Sequence, residues 1–106
     1  MSITWNADTL HTMINKASAD LARAVGNEME LEDGRGEIKS EAIGRIMARG
    51  DNKLTGKPHS VTSAETLVSA DPAYIAHMAK LRAAARERIM ARGAYDALVA
   101  ASRGLG

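Results

Sequence analysis

A chain of 106 residues with a formal net charge of +1 is one domain's worth of sequence, and a domain that short often completes its modest core with a second copy. Cysteine is absent, which excludes disulfide scaffolding, thiol catalysis and thiolate metal sites. Phe is also absent, Trp occurs once, and the apolar residues are mostly Ala, Met and Leu, a composition for closely packed helices and against a sheet.

The first helix is expected to start after Asn6, an N-cap residue, with Trp5 just outside it as a hydrophobic staple. Leu10, Ile14, Ala17, Leu21 and Val25 then recur at three- and four-residue steps, which marks one buried helical face. The stripe weakens over Glu28-Met29-Glu30-Leu31-Glu32-Asp33 and runs into Gly34-Arg35-Gly36. Two interior glycines cost a helix about 1 kcal/mol each. Residues 7–49 therefore read either as one long helix with a weak middle or as two helices jointed near Gly34–Gly36. The joint, a left-handed cap followed by a second segment where Ile38, Ala42 and Ile46 keep the spacing, is the favoured of the two.

Residues 50–60 are rich in turn formers and lack periodicity, and they read as a loop. Thr62-Ser63-Ala64-Glu65 has the spacing of a capping box and is expected to open a short helix to about Ser69. Asp71-Pro72 is a second start, with Asp at the N-cap and Pro at the first helical position, where its missing N–H is not needed. Tyr74, Met78, Leu81, Ala85, Ile89 and Val99 then mark a helix running to about Ser102.

One phrase occurs twice, as Arg45-Ile46-Met47-Ala48-Arg49-Gly50 and as Arg88-Ile89-Met90-Ala91-Arg92-Gly93. The first copy closes a helix at Gly50; the second runs on into Ala94-Tyr95-Asp96-Ala97-Leu98. Little else aligns around the copies, so the repeat reads as shared helical vocabulary rather than a duplicated unit.

The small net charge hides an asymmetry. Through Glu37 three basic residues stand against seven acidic ones, and from Ile38 onward eleven basic stand against six acidic. Antiparallel pairing of the two halves is electrostatically favoured, and the basic half is also suited to a polyanion. Lys80, Arg82, Arg86, Arg88 and Arg92 of the last helix are the candidate contacts for a nucleic acid or a protein partner. On the predicted stripe Arg82 and Arg86 fall on one flank and Arg88 on the other, while Arg92 lies near its centre and calls for a carboxylate. Only Tyr74 and Tyr95 offer bases a stacking surface.

No catalytic, cofactor or metal residues are expected. His11, His59 and His77 lack any partner at metal-ligand spacing, and no nucleophile elbow, phosphate loop or dinucleotide fingerprint occurs. Glu30 and Asp33 share a face as the carboxylates of a helical magnesium-dependent pyrophosphatase do, but no second such pair accompanies them. No stretch approaches the roughly 18 apolar residues of a membrane span. The first six residues lack the basic and apolar regions of a secretory signal, so a cytoplasmic setting without membrane contact is expected.

The stretch from Gly56 to Glu65, the Asp71-Pro72-Ala73-Tyr74 step and the alanine- and arginine-rich helix with Tyr95 resemble small all-helical proteins of tailed bacteriophages, often encoded near recombination genes. The resemblance covers about half the chain and departs from the pattern at Ser102-Arg103-Gly104-Leu105-Gly106. It implies a non-enzymatic phage or mobile-element protein, either an accessory in DNA metabolism or an inhibitor of a host system. The expected architecture is a single all-α domain over 1–106: two long antiparallel helices, a short connecting helix, and dimerisation to complete the bundle. An unidentified protein partner is expected, and direct DNA or RNA binding is the alternative.

Overall fold

Four helical segments follow one another in the computed structural model, which describes residues 7–49 and 60–105: α1 (Ala7–Ala48), α2 (Val61–Leu67), a 3₁₀ turn (Val68–Ala70) and α3 (Pro72–Leu105). No strand occurs among the described residues, so the chain is all-α. Trp5, Asn6 and the expected loop from Gly50 to His59 lie outside them.

The break favoured at Gly34–Gly36 does not form, and of the two readings the single long helix is the one observed. α1 is one helix of 42 residues that passes through both glycines, neither of which takes a positive φ. Half-buried Leu31 and Ile38 carry the apolar stripe across the weak segment. Arg35 spans it with a bond to Glu32 at 3.1 Å, and His77 of α3 donates Nε2–H to the Leu31 carbonyl at 2.8 Å. Tertiary contact and burial outweigh a propensity deficit of about 2 kcal/mol. α1 closes at Arg49, whose N–H reaches the carbonyls of Arg45 and Ile46.

The start of α2 also differs from the capping box expected at Thr62. Ser60 is the N-cap: it is extended, and its hydroxyl accepts from the Ser63 N–H at 3.1 Å. The same serine–threonine grammar is available two residues earlier, and Val61 joins the helix. The second start is where the sequence puts it. Asp71 is extended, its carboxylate accepts from the Tyr74 N–H at 3.0 Å, and Pro72 is the first residue of α3. The helix continues to Leu105, a little beyond the expected end.

The chain packs as two compact units. One is Glu30–Arg82, whose core gathers Ala42, Ile46, Ala64 and Val68, with Ile43 and Tyr74 against it. Ala42 and Ala64 are fully buried: without larger side chains α2 sits directly on α1. The other unit comprises Met1–Met29 and Ala83–Gly106. There Leu10, Ala17 and Ala84 are buried, while Ile14, Leu21, Val25, Leu98 and Val99 remain partly exposed. Among the described residues this unit contains α1 and α3 segments only.

The predicted stripe of α3 holds at Tyr74, Met78, Leu81, Ala85 and Val99, which are buried or half-buried, and fails at Ile89. Ile89 is 59% exposed, whereas Leu81 and Ala84 are buried and Arg88 and Ala91 are half-buried. Small side chains at 84 and 91 mark the line of close approach, which a search for bulky residues alone passes over.

Candidate functional site

The five basic residues of α3 do not form one cationic face. Arg88 points inward and donates its Nε–H to both carboxylate oxygens of Glu28 on α1, at 3.0 Å each. Arg92, expected at the centre of the seam with a carboxylate from the acidic half, is exposed instead and pairs with Asp96 one turn along its own helix at 3.4 Å. Lys80, Arg82 and Arg86 are exposed and have no carboxylate partner among the described residues. Arg82 edges a depression lined by Ser69, Tyr74, Ile75 and Met78. Tyr74 and Tyr95 are both half-buried, and Tyr74 packs against the core.

A second ion pair lies in the Glu30–Arg82 unit. Arg45 donates to Asp71 at 2.8 Å, and the Asp71 side chain is buried. One Asp71 oxygen serves both Arg45 and the Tyr74 N–H; the other is buried and has no partner among the described residues. Arg45, followed by the Tyr74 N–H, holds this carboxyl below its usual value, outweighing the opposing effect of burial. Sequence reasoning identified Asp71 as a cap but gave no sign of Arg45, since the partner of a buried carboxylate is a tertiary property. The repeated phrase thus acquires a common role: the first arginine of each copy ties its helix to a carboxylate distant in sequence, Arg45 to Asp71 and Arg88 to Glu28.

The other chemistry-bearing residues are dispersed. His77 is engaged by the Leu31 carbonyl, His11 is exposed, and His59 lies outside the described residues. Glu30 and Asp33 are exposed, and among the described residues no three His, Asp or Glu side chains are placed to share a metal ion. No described helix is long and apolar enough to cross a membrane.

What does stand out is apolar surface left in water. Large apolar side chains are exposed in both units, among them Val61 and Ile75 in Glu30–Arg82 and Met29, Ile89 and Met90 in the other, where Met29 and Ile89 are each 59% exposed. Single exposed apolar residues are ordinary, but Met29 and Ile89 accompany a half-open seam between only two helical segments among the described residues. Comparison of the chain with protein-family models, curated proteins and solved structures returned no match.

Proposed function

We propose that this chain is a non-enzymatic interaction protein that acts through protein–protein contacts as a homodimer. Each copy contributes two long antiparallel helices to a shared bundle. The proposed setting is the host cytoplasm, as a phage or mobile-element accessory in DNA metabolism or inhibitor of a host system. The carrying observation is the partly exposed apolar seam of Ile14, Leu21, Val25, Leu98 and Val99, which has no third helix over it among the described residues. The partnering of 45 with 71, 31 with 77 and 28 with 88 supports the antiparallel course. Light scattering at micromolar concentration is expected to give twice the 11.3 kDa chain mass, and a compact monomer overturns the dimer.

Direct nucleic-acid binding is the second reading, favoured by exposed Lys80, Arg82 and Arg86, which have no carboxylate partner among the described residues. Against it, Arg88 and Arg92 already face carboxylates and neither tyrosine is free to stack on both faces of a base. A labelled oligonucleotide at low salt is expected to remain unshifted; a salt-sensitive shift lost in the Arg82→Ala/Arg86→Ala variant reverses the order of the two readings. Magnesium is expected to leave the melting temperature unchanged, and a rise would reopen a metal-dependent activity at Glu30 and Asp33.

A further inference from the structure

We propose that the second copy docks on the side of the Met1–Met29 and Ala83–Gly106 unit that carries Met29 and Ile89, with Arg92 of each copy meeting the partner's Asp96. This rests on the dimeric reading above and adds where, and through which residues, the copies meet.

The Glu28–Arg88 bond sets the register. Where two antiparallel helices face each other, the residue following each facing position lies about 100° further round, on the same side of the pair. Met29 and Ile89 therefore flank the ion pair on one side, and both are more than half exposed. The same register brings Ile14 and Val25 of α1 and Arg92, Asp96 and Val99 of α3 to that side. The opposite side carries the smaller residues Ala17, Ala24, Ala84 and Ala91, with Met13, Leu98 and the half-buried Tyr95. The larger apolar area is thus with Met29 and Ile89.

The charges on this side complement themselves. Arg92 and Asp96 are a loose, mostly exposed pair within one helix, an arrangement of little value to a single copy. In a two-fold contact, residue i meets residue j while j meets i. If two α3 helices cross antiparallel with the axis at Ala94, Arg92 faces the partner's Asp96 and Ile89 faces the partner's Val99. One register satisfies both the charged and the apolar residues. Gly93 lies close to that axis, and among the described residues a Cβ there would meet nothing within 4 Å.

The area is adequate. In this register the α3 segments of the unit overlap over about 35 Å and the α1 segments over about 22 Å at 1.5 Å per residue. At about 10 Å of width per helix they offer about 570 Å² per copy. The total of about 1,100 Å² clears the roughly 1,000 Å² expected of a biological interface.

The test follows dimer dissociation of the full chain by sedimentation equilibrium, with helical circular dichroism recorded for each variant. Ile89→Asp is expected to raise the dissociation constant about 100-fold. Ile75→Asp, at an exposed position of the other unit, is expected to leave it unchanged. Asp96→Arg is expected to weaken the dimer about tenfold, and Arg92→Asp added to it to restore most of the loss. A dimer indifferent to Ile89→Asp and to Asp96→Arg, or one broken equally by Ile75→Asp, overturns the location while the dimeric reading survives. A monomeric wild type overturns both and leaves this face to a different protein.

Discussion

Arg88 and Glu28 are 60 residues apart in sequence, and a single guanidinium nitrogen bonds both oxygens of the carboxylate. Neither partner is fully buried, so solvent screens the attraction and the pair's net worth stays close to that of a good surface pair. A double-mutant cycle with Arg88→Ala and Glu28→Ala in urea is expected to return a coupling of about 0.5–1 kcal/mol. The coupling should shrink as salt is raised. Purely additive losses would mean that the pair does not form in solution.

Replacing either glycine of the Gly34–Gly36 segment by alanine is expected to stabilise the chain. A Cβ at Gly34 would rest 3.8 Å from the His77 ring, an ordinary contact, and one at Gly36 would meet nothing within 4 Å. Each substitution is expected to add about 0.5–1 kcal/mol in denaturant titrations through helix propensity alone. Were the segment a left-handed turn, both substitutions would destabilise.

The Arg45–Asp71 contact makes a statement about pH. Because the folded carboxyl titrates below its unfolded value of 3.8, its contribution is complete above that pH and fades as pH falls through the lower folded value. Asp71→Asn, which keeps a capping side chain but removes the charge, is expected to lower the melting temperature at pH 7. The gap between variant and wild type should narrow as the pH drops below about 3.8. Asp71→Ala, losing the cap as well, is expected to melt lower at pH 7, on the order of 5 °C below wild type. Thermal melts across pH 2–7 supply the comparison, and a gap independent of pH would show that the charge contributes nothing.

Ala64 is fully buried where α2 meets α1. Ala64→Leu has no room for its added carbons and is expected to cost about 1–3 kcal/mol. A protease probe should find α2 more susceptible in this variant while helicity in the long helices persists. Unchanged stability and protection would indicate that α2 is not seated on Ala42 and Ile46.

The all-α class and the Asp71-Pro72 start were legible because capping and periodicity are local physics, written within a few residues. The continuity of α1 was not, since propensity at Gly34 and Gly36 argues for a break and the forces that override it come from His77, 46 residues away from Leu31. The stripe of α3 was legible except at Ile89, which looks like core while Ala84 does not, whereas the close approach of helices favours the alanine. Of the five basic candidates, Arg88 belongs to an internal bond and Arg92 to a local one, roles that depend on what lies opposite each helix. Arg45 gave no signal at all, because its role becomes visible only when Asp71 is buried beside it.

The contacts between distant segments span 26, 46 and 60 residues, and each nests inside the next. Closing the shortest loop first makes every later closure cheaper in chain entropy, so assembly zips outward from Arg45 and Asp71. Opening follows the same track in reverse. Among the described residues amide exchange should be slowest near Ala42 and Ile46 and quicken toward Leu10 and Leu98, which leaves the first turns of α1 and the last turns of α3 as the described segments that reshape most readily.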